Sequence, residues 1–122
     1  MKNNLKELFP EETAGIDKYF ALVAETNQVS GNFFQYKLLN STVASILSSL
    51  TLSRYFEITK MTPVEAVESC IKSPKLRALL LGQFGDYGGN PNNATFLIQA
   101  GVSAHYFSGA YYPVGGTDSI AK

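Results

Sequence analysis

The sequence predicts a mainly α protein, a small helical bundle with a short extended segment near its C-terminus. Apolar residues recur at helical spacing along much of the 122-residue chain. Thr-Pro and Ser-Pro pairs mark two helix starts, and a Gly- and Tyr-rich segment follows the last long helical pattern. A chain of this length predicts one domain over 1–122, or a fragment of one, with room for a hydrophobic core.

A first helix is predicted over 10–25. Pro10 suits the first helical position, and two acidic residues follow it in the first turn. Apolar side chains at helical spacing then form one stripe, which consists of Ile16, Tyr19, Phe20 and Val23. The sequence over 27–32 predicts a break after this helix.

A second helical stretch is expected from Phe33 toward Leu52. Its apolar face consists of Leu39, Val43, Ile46, Leu47 and Leu50. The Ser and Thr content weakens this helix, and Asn40-Ser41 can split it in two. The pattern over 55–59 fits a strand and a helix equally well.

The next two helix starts are the clearest local signals. Thr62 at the N-cap, a proline after it and Glu65 form a capping-box pattern, which opens a short helix to about Ile71. Ser73-Pro74 repeats the signal and opens a helix that ends within 82–85. The residues of that helix expected to point inward are Leu76, Leu79 and Leu80.

A loop over 86–90 precedes the last long helix, which Asn90-Pro91 is expected to cap. Its predicted inner face consists of Phe96, Ala100, Ala104 and Phe107. Residues 109–116 then form an extended aromatic segment, and Thr117-Asp118 caps a final helix. The chain stops roughly one and a half turns into that helix, which predicts a segment excised from a larger protein.

Composition excludes several classes of function. Ten basic and ten acidic residues cancel, so no global field attracts nucleic acid, and no nucleic-acid partner is expected. One cysteine and one histidine exclude an intramolecular disulfide, and no metal site is expected. No apolar run has the length of a membrane span, and the N-terminus does not resemble a signal peptide, so a cytoplasmic location is expected.

Charge is missing from two long stretches of the chain. Residues 87–117 contain no Asp, Glu, Lys or Arg, and residues 26–53 contain only Lys37. Uncharged surfaces of this extent suggest that another domain or a second copy of the chain covers them. A core helix followed by a Gly- and Asn-rich loop explains the same composition.

Motifs for nucleotide binding, hydrolysis and metal chemistry are absent. Cys70 and His105 are the only candidates for a nucleophile–base pair, but Cys70 occupies an apolar helical position that suits a buried structural cysteine. A packed or hydrogen-bonded histidine explains His105 equally well. No catalytic residue is therefore assigned.

The Tyr-Tyr-Pro-Val-Gly-Gly-Thr stretch over 111–117 is more informative. Two glycines before a helix start let the backbone approach a ligand closely, although a tight turn is the simpler interpretation. The neighbouring aromatic side chains suit the wall of a large apolar pocket and suit a hydrophobic core equally well. They are Tyr87, Tyr106, Phe107, Tyr111 and Tyr112.

Six blocks of sequence occur in a distinctive order along the chain. They are Leu-Phe-Pro-Glu-Glu at 8–12, Gly-Ile-Asp-Lys-Tyr-Phe at 15–20, Ser-Pro-Lys-Leu-Arg-Ala at 73–78, Gly-Gln-Phe-Gly-Asp-Tyr-Gly at 82–88, His-Tyr at 105–106 and Gly-Ala-Tyr-Tyr-Pro-Val-Gly-Gly at 109–116. They resemble the flavoprotein family of carotenoid isomerases, phytoene-desaturase-like proteins and all-trans-retinol 13,14-reductases (retinol saturases). The family commonly has Gly, Ser and Pro-Pro where this chain has Ala110, Thr117 and Asn90-Pro91, and residues 29–60 match it loosely.

The resemblance implies an internal, substrate-side segment of a larger α/β flavoprotein. That family holds flavin adenine dinucleotide (FAD) on an N-terminal Rossmann-type unit, which this sequence lacks, so no FAD is expected on this chain alone. The expected contacts to the cofactor in the complete protein are Gly115 and Gly116. The expected substrate-binding residues are Tyr87, His105, Tyr106, Tyr111, Tyr112 and Pro113.

The implied function is that of an oxidoreductase that saturates, desaturates or isomerises conjugated polyenes, with this chain as a tunnel wall that is inactive alone. Its expected partners are the flavin-binding domain, an apolar polyene or lipid substrate and a second copy of the fragment. Peripheral membrane contact is expected of the complete protein. The alternative function is a free-standing helical module that binds an apolar ligand or a partner helix.

Overall fold

The computed structural model describes residues 1–38 and 52–120, and every element of secondary structure in these ranges is helical. The α-helices are α1 (Lys2–Leu8), α2 (Thr13–Lys37), α3 (Ser53–Lys60), α4 (Pro63–Glu68), α5 (Pro74–Leu81), α6 (Phe84–Tyr87) and α7 (Phe96–His105). Short 3-10 helices cover Pro10–Glu12, Tyr106–Ser108 and Thr117–Ser119. The prediction of a small helical bundle is confirmed.

Helix α2 is continuous from Thr13 to Lys37, so the predicted break over 27–32 is wrong. Polar side chains in this region do not compete with the helix, because they donate hydrogen bonds to carbonyls one turn earlier. Thr26, Asn27 and Ser30 make such bonds, at 2.7, 2.8 and 2.6 Å. Asn27 also donates to the Ala100 carbonyl at 3.1 Å, which fixes α2 against α7.

Residues 33–37, which were expected to start a second helix, belong to α2. The rest of that predicted stretch lies largely outside the described residues, including the split at Asn40-Ser41. The same holds for its apolar face of Leu39, Val43, Ile46, Leu47 and Leu50. Residues 55–59, whose pattern was ambiguous, lie in helix α3.

Two helices are held to α2 by ion pairs. Lys2 and Lys6 of α1, a helix that sequence analysis did not predict, contact the Asp17 carboxylate at 2.7 and 2.8 Å. Arg54 of α3 binds Glu25 through two hydrogen bonds of 2.7 and 3.1 Å. Each ion pair joins α2 to a helix whose own sequence signal is weak or absent.

The two predicted helix starts in the middle of the chain are confirmed. Thr62 accepts from the Glu65 amide at 3.2 Å while the Glu65 carboxylate accepts from the Thr62 amide at 2.8 Å, a complete capping box. Ser73 caps α5, which ends at Leu81 next to Gly82. Helix α4 ends at Glu68, earlier than expected.

One buried carboxylate supports the start of α5. Glu12 is 6% exposed and accepts hydrogen bonds from the backbone amides of Lys72 and Ser73. These amides belong to the turn that leads into α5, where free N–H groups attract a negative charge. Leu79 of α5 is 55% exposed, so its predicted inward position is wrong; Leu76 and Leu80 are buried.

The start and end of α7 differ from the prediction. Thr95, not Asn90, caps the helix, because the Asn90 side chain closes its own turn by accepting from the Asn92 amide at 2.9 Å. Phe107 lies beyond the helix end, 37% exposed, and stacks on Phe20 with ring centroids 4.8 Å apart. Asp86 and Tyr87, predicted in a loop, close helix α6.

The core forms where α2 and α7 cross, with α1, α3, α4 and α5 around them. Its fully buried members with large side chains include Tyr19, Phe96, Ile16, Ile58, Ile71 and Leu76. No helix within the described residues is long and apolar enough to cross a membrane.

The C-terminal segment has no core of its own. Residues 109–113 have no regular secondary structure, and the predicted extended segment ends in a turn at 114–115. The final cap is Gly116 rather than Thr117, which starts the short 3-10 helix without a side-chain cap. No residue from 104 to 120 is buried. Tyr111 and Tyr112 therefore present most of their aromatic surface to solvent.

Candidate functional site

A concave surface of about 620 Å³ lies at the C-terminal end of α7. It is lined by His105, Tyr106, Ser108, Gly109, Ala110 and Tyr111. Gly109 adopts φ +97°, a conformation that L side chains rarely adopt, and it turns the chain away from α7. Three of the predicted substrate-binding residues, His105, Tyr106 and Tyr111, are thereby brought together.

The lining is aromatic and uncharged, with few polar groups. The rings of His105 and Tyr106 meet edge to face with centroids 5.6 Å apart. The Asp86 carboxylate, as hydrogen-bond acceptor and as negative charge, raises the pKa of the Tyr106 phenol. The surface therefore offers ring faces for an apolar ligand and two polar groups that can orient it.

Four other predicted site residues do not line this surface. Tyr112 is 74% exposed, and the Pro113 carbonyl accepts from the Gly116 amide at 3.1 Å, which closes a turn. Gly115 and Gly116 have φ values of +91° and +82°. A Cβ at Gly116 would meet no atom within 4 Å, so a flat group can approach the backbone of this turn closely.

Tyr87 is also apart from the concave surface. Its ring lies against Gly89, where an added Cβ would be 3.0 Å from the ring. Its hydroxyl is buried, and burial raises the pKa of Tyr87. The predicted contact between Tyr87 and a ligand would therefore involve the ring and not the hydroxyl.

Sequence analysis missed a polar cluster beneath α7, formed by Tyr19, Gln83, Gln99 and Ser103. Ser103 donates to Gln83 at 2.6 Å and lies 3.3 Å from the Tyr19 hydroxyl. Gln99 donates to the Leu80 carbonyl at 2.8 Å. The available signal was the pair Gln99 and Ser103, polar residues one turn apart on an otherwise apolar helix.

Two kinds of site have no counterpart among the described residues, a cluster of metal ligands and a dinucleotide-binding turn. Within 1–38 and 52–120 no three His, Cys, Asp or Glu side chains cluster as metal ligands. The same ranges contain no strand, so the Gly-rich strand-to-helix turn that holds a dinucleotide has no counterpart there. Cys70 is half-buried and packs against the core.

Comparison with known proteins gives relatives of one kind. The chain is 33% identical to all-trans-retinol 13,14-reductase from Homo sapiens over 96% of its length, and it has the same identity and coverage with the protein of that name from Rattus norvegicus. It is 31% identical over 98% of its length to the protein of that name from Danio rerio. The chain spans about one fifth of these curated relatives (20%). No family model and no solved structure matches.

The described residues form a small helical bundle, so the chain belongs to the mainly α class of folds. It is a homologue of part of the all-trans-retinol 13,14-reductases, which confirms the resemblance seen in the sequence.

Proposed function

We propose that this chain is the substrate-side segment of a flavin-dependent oxidoreductase that acts on conjugated polyenes. The observation that carries the proposal is the 33% identity over 96% of the chain to proteins named for the reduction of all-trans-retinol, a conjugated polyene alcohol. The proposed reaction is saturation of a polyene, in keeping with that name. Desaturation and isomerisation of related polyenes are the alternative reactions. The segment supplies a wall of the substrate site and is inactive alone.

The shape and chemistry of the concave surface support this role. It is an open concavity, and its ring faces at Tyr106 and Tyr111 suit one side of a flat polyene. The side chains of Tyr111 and Val114 are 95% and 99% exposed. A partner that covers this segment would bury their apolar surface. We propose that this partner is the remainder of the same protein.

Flavin binding is assigned to that remainder, because the described residues offer no cradle for a dinucleotide. A bound flavin supplies the hydride chemistry of such enzymes. The turn at Gly115 and Gly116 is proposed to contact the cofactor or the substrate, since its backbone is open to close approach. Tyr106, Tyr111 and Tyr112 exclude water from the polyene.

The coding sequence on either side of this chain tests the proposal directly. A Gly-x-Gly-x-x-Gly unit in the same reading frame, together with flavin in the purified complete protein and turnover of all-trans-retinol, supports it. An open reading frame that holds these 122 residues alone contradicts it and favours the helical binding module.

A titration of the chain with FAD gives a second test. We expect no complex of micromolar or tighter affinity, because the pyrophosphate needs a Gly-rich turn at a strand-to-helix junction. Flavin fluorescence during the titration reports binding. A tight one-to-one complex would contradict the assignment of the cofactor to another part of the protein.

The proposed partners also include a second copy of the chain and, for the complete protein, a membrane surface, with a cytoplasmic location. These remain predictions. Sedimentation of the purified chain and of the complete protein with lipid vesicles measures the first two.

A further inference from the structure

The concave surface at the end of α7 contains one imidazole ring, that of His105. His105 is the single histidine of the chain, and it lies within residues 87–117, a stretch without Asp, Glu, Lys or Arg. It lines the same surface as the rings of Tyr106 and Tyr111. A surface of this composition offers apolar contact over most of its area and one strongly hydrogen-bonding ring, which orients a ligand.

The backbone that carries His105 is held by the core. His105 is the last residue of α7 and directly follows Ser103, which is buried, and Ala104, which packs against the core. Its own side chain is exposed, and its ring meets Tyr106 edge to face with centroids 5.6 Å apart. Ser108 ends a 3-10 turn, and no residue from there to 120 is buried. A group carried by a packed helix is held more precisely than a group on a loop, so His105 is the best-fixed polar side chain of this surface.

An imidazole and an alcohol are complementary in hydrogen bonding. The neutral ring has one N–H donor and one acceptor nitrogen, and an alcohol has one O–H donor and an acceptor oxygen. A hydrocarbon polyene has no group that pairs with such a ring. The curated relatives are named for all-trans-retinol, a polyene alcohol. A ligand of this kind has a flat apolar chain for the faces of Tyr106 and Tyr111 and one hydroxyl group for His105.

We propose that His105 binds the hydroxyl group of a polyene alcohol and makes the site prefer the alcohol to a hydrocarbon of the same length. The inference rests on the proposed function, since it takes the concave surface as one wall of the substrate site. One neutral hydrogen bond changes affinity by about 3- to 10-fold. That factor is the preference expected from His105.

Equilibrium binding of two ligands to the complete protein tests the proposal. The ligands are all-trans-retinol and its deoxy analogue, in which a hydrogen atom replaces the hydroxyl group. Retinoid fluorescence reports both dissociation constants without turnover. His105→Phe keeps an aromatic ring beside Tyr106 and removes both nitrogens, and the exposed position of His105 lets the variant fold. We expect it to bind retinol about 3- to 10-fold more weakly and the deoxy analogue at least as tightly as before.

Ser108→Ala and Tyr106→Phe are the matched controls, because each removes one hydroxyl group from the same surface and should keep the preference for retinol. Unchanged binding, or equal weakening of both ligands, in His105→Phe would overturn the inference and leave the proposed function standing. Loss of the preference in a control variant but not in His105→Phe would also overturn it. An unmodified protein that binds neither ligand would contradict the proposed function and the inference together.

Discussion

Gly15 is the residue at which helix α2 approaches the turn after α4 most closely. A Cβ built on Gly15 would collide with the Cys70 carbonyl oxygen and would lie 3.0 Å from the Glu12 carboxylate. Gly31, in the same helix, has no atom within 4 Å of the corresponding position. The two glycines therefore form a natural pair for a substitution experiment.

We predict that Gly15→Ala lowers the free energy of unfolding by about 1–3 kcal/mol, because the backbone on both sides must shift. The matched variant Gly31→Ala should raise it by about 0.5–1 kcal/mol, since alanine loses less backbone freedom in a helix. Urea denaturation of both variants measures the difference. Equal effects of the two substitutions would show that the Gly15 contact does not constrain the fold.

A second prediction at the residue scale concerns Gly116 and rests on the proposed function. In the complete protein, Gly116→Val should reduce turnover by about 10²-fold or more, because valine is strained at φ +82° and adds a side chain where the backbone is proposed to meet its ligand. The melting temperature should fall much less than turnover, since an added Cβ at Gly116 meets no atom within 4 Å and the strain is confined to one turn.

Flavin content, melting temperature and turnover measured on one preparation decide the outcome for Gly116. Normal turnover at normal flavin occupancy would remove Gly116 from the site. Tyr112→Phe is the companion variant; a large loss of rate there would assign a polar role to the Tyr112 hydroxyl.

At the scale of elements, the C-terminal segment and α2 differ in how well buried side chains shield their backbone hydrogen bonds from solvent. Residues 109–120 contain no buried residue, and their backbone hydrogen bonds close local turns, such as Gly116 to Pro113. Ile16 and Val23 of α2 are at most 1% exposed and belong to the core. Local opening costs least where few apolar contacts cover the hydrogen bonds.

Amide hydrogen exchange should therefore be faster over 109–120 than over 16–23 in the isolated chain. Mass spectrometry of peptides from both regions measures the rates. A concentration series serves as the control, since protection that grows with concentration would show that a second copy covers the segment. Strong protection of both regions in the monomer would instead favour the free-standing module.

At the scale of the whole molecule, three carboxyl groups make the stability of the fold depend on pH in the acidic range. Hydrogen bonds from Lys2 and Lys6 lower the pKa of Asp17. A hydrogen bond from the Arg54 guanidinium lowers the pKa of Glu25. A hydrogen bond from the Thr62 backbone amide lowers the pKa of Glu65. A carboxyl group whose pKa is lower in the folded state stabilises the fold above its unfolded pKa, and this stabilisation is lost as the pH falls through the folded value.

We expect the melting temperature to be constant above the ordinary carboxyl pKa values of 3.8 and 4.5 and to fall below them. Glu25→Gln should lower the melting temperature at neutral pH and reduce its loss in acid, because the bond with Arg54 no longer titrates. Calorimetry over a pH series compares this variant with Glu11→Gln, an exposed control. An identical acid profile for the two variants would exclude a role for the pair of Glu25 and Arg54.

Part of the candidate site could be predicted from the sequence. His105, Tyr106 and Tyr111 are close along the chain, and a helix end followed by a glycine brings them to one surface. The burial of the Tyr87 hydroxyl could not be predicted, because it depends on how helix α6 packs against the rest of the molecule.

The sequence by itself determined the helix starts at Thr62 and Ser73, because a cap is completed by residues within four positions of it. It also determined the helical class and the exposed glycine turn at 115–116. The tertiary structure decided the rest: the continuity of α2 through Asn27, whose side chain bonds α7, and the exposure of Leu79. These depend on contacts between distant segments, whose free energy outweighs the local preference of a few residues.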